Sequence, residues 1–460
     1  MTRKLLSVLA IVAGFGVSHL AAQPNSKSDN AQPAVAKSEL QVGAAAVDLI
    51  ADDSMVIGGG IQPGFVKAQE GKLRAVATVL QSNGTKLALV ACDVLMMNRD
   101  LLDPVATQIE KECGIPAANV LINATHTHHA PSTCTVHGYE RDMRFCKIVQ
   151  DAIVSAVKQA NDRLTSSQFK FALGEESSVG QNSRLLMADE TIYWGGPIED
   201  SIRPTGPFDP QLPVLAFVDA DQKPVVTWFN HSTHTIGTKT PGVRSPSFYG
   251  LACQELEDEG NGLVGFLEGA SGSTHNMKLP CIEMIIRIKA AVTDALNKSE
   301  PQSNVRLKSL KRELRYRVRT FDESVEDQKV VKHCTLRIPS IADGTIDVFR
   351  KQRAVLAPEQ GKERSSWLQV VMIGDVAIVG VPAEYFTGLG LEIKRRSPFR
   401  YTYIAELAND WIGYLPDRKG YQQGGYQTWM GLHCFTEPGF GESVVDQAVE
   451  MLKQVHKEQP

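Results

Sequence analysis

Asn119-Val120-Leu121-Ile122-Asn123-Ala124-Thr125-His126-Thr127-His128-His129-Ala130-Pro131 is an apolar run that leads straight into three of the chain's 11 histidines. Residues 119–123 predict a short buried strand, and neutral imidazole is the commonest protein ligand for transition metals. A strand presents alternate side chains to one face, so His126 and His128 are expected together, with Thr127 and His129 opposite. Upstream, residues 101–113 have helical spacing and stop at Gly114, a residue suited to a helix C-terminus. Before them, residues 73–80 and 86–92 read as two strands joined by the turn Asn83-Gly84, a strong hairpin signal. Strand, helix, strand in this order predicts an α/β fold: one large domain of mixed sheets flanked by helices, its active loops beyond the C-terminal ends of strands.

The same pattern recurs downstream. Residues 212–219 and 225–230 read as a hairpin whose second strand runs into Phe229-Asn230-His231-Ser232-Thr233-His234. Residues 263–267 lead into the small-residue block Glu268-Gly269-Ala270-Ser271-Gly272-Ser273-Thr274-His275-Asn276, where backbone N–H groups are expected to approach a ligand closely. Residues 376–381 run into Pro382-Ala383-Glu384, and residues 401–407 into Asn409-Asp410-Trp411-Ile412-Gly413-Tyr414. Four apolar strands therefore end at His126, His234, Glu384 and Tyr414. Histidine with carboxylate suits Zn²⁺, and two His with one carboxylate also suit Fe(II), so donor type alone leaves both metals open. Helices are predicted over 145–164, 248–260, 284–296, 387–396 and 441–456, a short strand over 192–194, and a more exposed β-rich insertion over 305–353.

At 460 residues and 43% hydrophobic, the chain can bury a large core. A formal charge of −4 without a polybasic cluster gives no reason to expect nucleic acid or a membrane surface as partner. Thr2-Arg3-Lys4, the apolar run 5–17 and Leu20-Ala21-Ala22 predict a secretory signal peptide over 1–22, too short for a transmembrane span, hence a secreted or periplasmic protein. Residues 23–39 read as a disordered spacer, and 40–460 as the catalytic domain. Eight cysteines in an exported chain predict some disulfides; the absence of any Cys-x-x-Cys argues against a cysteine zinc site.

His126-Thr127-His128, followed by Ala130-Pro131, resembles the Thr-His-Thr-His-Ser-Gly-Pro motif of the neutral ceramidases. Residues 229–235 are similar to the Phe-Asn-Tyr-Ala-Cys-His-Pro-Thr block of that family's wider bacterial set. Val379-Gly380-Val381-Pro382-Ala383-Glu384 resembles its Gly-x-Pro-Gly/Ala-Glu block, and Asn409, Tyr414, Tyr421 and Tyr426 reproduce its Asn…Tyr…Tyr…Tyr spacing. Matching blocks run from about Val42 to Tyr426. The resemblance implies one zinc ion held by His126, His234, Glu384 and Tyr414. It further implies His128 assisting proton transfer or holding a tetrahedral intermediate, and Tyr426 helping to stabilise the oxyanion.

Two departures follow. His275 stands where the family has its active-site serine, and Asn182-Ser183-Arg184 leaves the family's functional arginine absent or shifted by one residue to Arg184. Only residues 427–460 follow Tyr426, so the family's C-terminal immunoglobulin-like domain is expected to be missing. A conserved zinc frame with altered substrate contacts implies an amide hydrolase, for N-acyl amides in the first instance, whose substrate is a small or lipid-like molecule other than ceramide. The alternatives are an ester or lactone hydrolase sharing the carbonyl chemistry, a catalytically silent zinc protein binding a lipid or glycan, and an iron-dependent oxygenase.

Overall fold

The structure, a computed structural model, describes residues 40–276 and 278–457. The expected signal peptide and spacer fall outside them. Alternation within the strands decides how the layers stack. In Arg74–Ser82, Ala75, Ala77 and Val79 face one cluster of apolar side chains while Val76 and Leu80 face another. In Thr85–Cys92, Ala88, Val90 and Cys92 oppose Leu87, Leu89 and Ala91 in the same way. Both faces are covered, which is why these strands read as nearly continuous apolar runs.

The larger sheet has nine strands. Eight of them run across it in the order Leu263–Glu268, Pro224–His231, Gln211–Asp219, Thr165–Glu175, Gln41–Asp48, Arg74–Ser82, Thr85–Cys92 and Val120–Ala124. It is antiparallel in the middle and parallel at each side, where Val120–Ala124 pairs with Thr85–Cys92 and Leu263–Glu268 with Pro224–His231. The smaller sheet orders Leu307–Arg317, Glu363–Ile373, Val376–Gly380 and Tyr401–Ala405, its last pair parallel. Val76, Leu89 and Leu121 of the first sheet meet Val371, Ile378 and Tyr403 of the second in one cluster, so the two sheets pack face to face. Helices Arg99–Cys113, Met143–Asp162, Ser247–Asp258 and Cys281–Asn297 cover the outer face of the first sheet. Glu323–Arg337, Ala342–Leu356, Thr387–Arg396 and Phe440–Lys457 cover that of the second. This is a mixed α/β architecture with a large mixed sheet flanked by helices, as the sequence predicts.

Local chemistry explains the boundaries. Asn83 and Gly84 both have positive φ (48° and 77°) and close the predicted hairpin with Ser82 opposite Thr85. Gly114 takes the left-handed conformation after Arg99–Cys113, and its N–H caps the Glu110 carbonyl.

Three expectations are corrected. Within 305–353 only Leu307–Arg317 is a strand, an integral member of the second sheet, and two helices follow instead of a β-rich insertion. Residues 192–194 form no strand; Ile192 makes a single bridge to Leu186. All eight cysteines are free, buried thiols, each packed as a small apolar side chain instead of paired in disulfides. Among the described residues, no helix is long and apolar enough to cross a membrane.

Candidate metal centre

The ends of four strands, three from the larger sheet and one from the smaller, are stitched together by buried amides. Asn230 Nδ2 donates to the carbonyls of Leu267 (2.8 Å) and Ile404 (2.9 Å). Asn123 Oδ1 accepts from Glu268 N (3.0 Å) and its Nδ2 donates to the Glu406 carbonyl. The loops leaving these ends therefore converge.

Val120–Ala124 ends at Ala124, and His126 takes a left-handed backbone (φ 61°) that turns the chain. A turn, not a continued strand, thus sets the histidines. The predicted division of sides still holds: His126 and His128 face the centre, while Thr127 Oγ1 donates to the Ser245 carbonyl and His129 Nε2 accepts from Gly237 N. His234 follows Pro224–His231 and bridges to His275. Glu384 and Tyr414 lie side by side in a short parallel pair.

Three imidazoles converge, their ligand atoms within 4.8 Å of one another: His126, His128 and His234. Glu384 Oε2 lies 3.6 Å from His126 Nε2 and 3.5 Å from His234 Nε2. Tyr414 Oη lies 3.1 Å from His234 Nε2 and is hydrogen-bonded to Glu384. His126, His234, Glu384 and Tyr414 are 1, 1, 3 and 4% exposed, so water does not solvate them.

The protonation pattern follows from the partners. His126 Nδ1 is 2.9 Å from the Leu95 carbonyl, His234 Nδ1 3.0 Å from the Ser271 carbonyl, and His128 Nδ1 3.2 Å from the Gly59 carbonyl. A carbonyl only accepts, so each Nδ1 carries the hydrogen and each Nε2 of a neutral ring presents a lone pair. Burial holds the rings neutral. It brings His126 and His234 down to about 4 and, with the neighbouring imidazoles, pushes His128 well below its ordinary value. Burial also raises Glu384, against the opposing pull of His126 and the hydrogen bonds from Tyr414 and Trp411.

Three lone pairs and a carboxylate thus face one another, with Tyr414 supplying one proton among them. His126 Nε2 and His128 Nε2 are only 3.4 Å apart. Such a set of acceptors repels itself unless a cation sits among them, and Nδ1–H donated to a backbone carbonyl is the usual second support of a metal-bound histidine. The donor set fits a zinc-type ion.

Around this centre, Trp411 Nε1 donates to Glu384 Oε1 (3.1 Å). His275 stacks on His234 with ring centroids 4.3 Å apart. Burial, and then His234, push the His275 imidazole well down. Tyr426 packs edge-on against Tyr414 at 5.8 Å. Arg184 lies elsewhere: its guanidinium is buried on Gln427 Oε1 (2.8 Å) and the carbonyls of Gly420 (3.1 Å) and Gly424 (2.6 Å), so it braces the segment that carries Tyr426. The small-residue block serves backbone packing instead of opening N–H groups to a ligand. A Cβ on Gly272 would stand 2.4 Å from the Glu384 carbonyl oxygen, and one on Gly269 2.3 Å from Ser232 Oγ. Sequence reasoning missed Trp411, which lies inside a motif it had marked. It also missed the carbonyls of Leu95, Gly59 and Ser271, since any residue type can supply a backbone acceptor.

The mixed α/β fold thus carries, at strand ends, a buried histidine–carboxylate centre of a kind that could hold a metal ion. None of the known family profiles matches the chain. The neutral ceramidase of Pseudomonas aeruginosa is 23% identical over 412 residues, 73% of this chain and 60% of that protein. The crystal structure of neutral ceramidase from the same organism superposes with a TM-score of 0.71 at 18% identity, covering 92% of this chain and 75% of that one. A structure described as ceramidase complexed with C2 superposes with the same TM-score and identity, covering 92% and 76%. In sequence and in fold the chain is thus similar to the neutral ceramidases, at a divergent level of identity. It spans about 60% of the length of the curated relative it matches.

Proposed function

We propose that this chain is an exported, zinc-dependent hydrolase of an amide bond, with one zinc ion per chain held by His126, His234, Glu384 and Tyr414. The observation that carries the reading is the set of inward-facing lone pairs, each histidine fixed by a carbonyl at Nδ1. Bound there, zinc supplies a water of lowered pKa, about 7, and polarises a carbonyl. The chain's own groups do the rest. His128 Nε2, a lone pair on a half-buried ring beside His126, takes the proton as the water oxygen bonds to the carbonyl carbon. It returns that proton to the nitrogen as the C–N bond breaks, leaving a carboxylic acid and an amine. The Tyr426 hydroxyl donates to the developing oxyanion.

The relatives in hand are ceramidases, which supports an N-acyl, lipid-like amide as the substrate class. His275 at the position of the family serine, and Arg184 turned to a bracing role, support a substrate other than ceramide itself. The basic start and apolar run of residues 1–22 support export. The mass of the secreted protein should correspond to cleavage after Ala22.

Metal analysis should find about one zinc per chain, and His126→Ala should abolish its retention. If that variant keeps full metal, the site assignment is wrong. His128→Ala should keep the zinc and lose turnover; loss of zinc would make His128 a ligand, as its Gly59 contact also permits. Wild type should hydrolyse short-chain N-acyl amides in preference to acyl esters, and Glu384→Ala should lose at least a hundredfold. Preference for the ester would favour the ester or lactone reading, and turnover of neither class by the wild type a binding protein.

A further inference from the structure

One wall of the centre holds a hydrogen-bond chain whose direction can be worked out atom by atom. Gln352, on the helix Ala342–Leu356, is 2% exposed. The backbone N–H of Leu432 points at Gln352 Oε1 (2.7 Å), and a backbone N–H can only donate. That orients the amide: its Nε2 is an N–H₂, and this group faces His137 Nδ1 at 3.3 Å. His137 Nδ1 must therefore accept, so the neutral ring carries its hydrogen on Nε2. Burial, reinforced by His433, keeps that ring neutral. His137 Nε2 lies 2.9 Å from Tyr426 Oη. The imidazole N–H thus donates to the tyrosine oxygen, and the tyrosine's own hydrogen is left over. Among the described residues no other hydrogen-bond partner meets Tyr426 Oη.

The ring itself cannot swing. Trp194 stacks on Tyr426 at 4.6 Å with planes 7° apart, His433 stacks at 4.8 Å, and His433 Nε2 donates to the Tyr426 carbonyl (2.9 Å). Donation into a hydroxyl oxygen polarises the O–H and makes it a better donor in turn.

We propose that His137 is a positioning residue: by donating from Nε2 to Tyr426 Oη, it holds the Tyr426 O–H free as a hydrogen-bond donor to the substrate's carbonyl oxygen. The proposal rests on the hydrolase reading, with Gln352 setting the tautomer. A glutamate at 352 reverses the chain. Its carboxylate accepts from His137 Nδ1–H, Nε2 becomes a lone pair, and the tyrosine hydrogen is drawn away from the substrate to His137.

The test is carried out on the zinc-loaded protein with ring-¹⁵N histidine, His137 being assigned by its loss in His137→Gln. The nitrogen shifts should report Nε2–H in the wild type and Nδ1–H in Gln352→Glu. On a short-chain N-acyl amide, Gln352→Glu should lower kcat about a hundredfold, the scale of losing an oxyanion donor, with KM within about twofold and zinc content unchanged. If Gln352→Glu fails to fold, a second pair decides. His137→Gln keeps an N–H₂ for Tyr426 and His137→Leu does not, and both bear the same left-handed backbone (φ 58°). His137→Gln should therefore keep kcat several-fold above His137→Leu. An Nδ1–H wild type, or equal kcat in that pair, would overturn the proposal. Should the wild type turn over nothing, the hydrolase reading falls, while the nitrogen shifts still uphold or overturn the hydrogen-bond chain.

Discussion

Gly272 shows how little room the centre leaves. Any side chain there would press on the backbone of Glu384, whose carboxylate faces His126 and His234. Gly272→Ala should cost roughly 1–3 kcal/mol of stability by overpacking and weaken zinc about 10–100-fold, measured by competition with a chelator. His129 gives the pH counterpart. Burial brings its pKa down to about 4, and its Nε2 accepts from Gly237 N–H, a bond a ring protonated at that nitrogen cannot accept. Between about 6.5 and about 4 the unfolded chain binds a proton that the folded chain refuses. Stability is thus complete above the unfolded value and falls as pH drops through that window. His129→Gln, whose amide oxygen can take the same N–H, should lose less Tm than wild type between pH 7 and pH 5. An unchanged slope would remove His129 from the account.

At the level of elements, the amides at the strand ends do the joining. Asn230→Ala would leave the carbonyls of Leu267 and Ile404 without their shared donor, one in each sheet. A loss of about 2–3 kcal/mol is expected from the urea midpoint. The strands that hold these amides were readable because both faces are apolar, and the hairpin over 73–92 because Asn83-Gly84 supplies its turn residues. Glu323–Arg337 and Ala342–Leu356 were not readable as helices, since their inner faces bury Glu326, His333, Arg337, Gln352 and Arg353. Arg353 is fully buried against Glu323 and Asp327, so charge stands where the helical period calls for an apolar residue. The second half of the positioning chain, Gln352, hid in that same stretch. Of the site itself, the residues at strand ends were legible; the carbonyl partners and the aromatic stack around Tyr426 depend on packing between segments far apart in sequence.

Across the whole molecule, the centre lies where the ends of both sheets meet. His126 and His234 extend from the first sheet, Glu384 and Tyr414 from the second. Zinc that binds only this folded arrangement must stabilise it by mass action, so removal of the metal with a chelator should lower Tm, and restoring zinc should raise it with concentration. The spread of these residues along the chain also has a kinetic meaning. A nascent or refolding polypeptide acquires its first donor near residue 126 and its last at residue 414, so most of the described chain must collapse before the donors meet. Contacts of such long sequence separation form late. Uptake of zinc during refolding should therefore lag behind the recovery of helical signal, making capture of the ion a stopwatch for the docking of one sheet on the other.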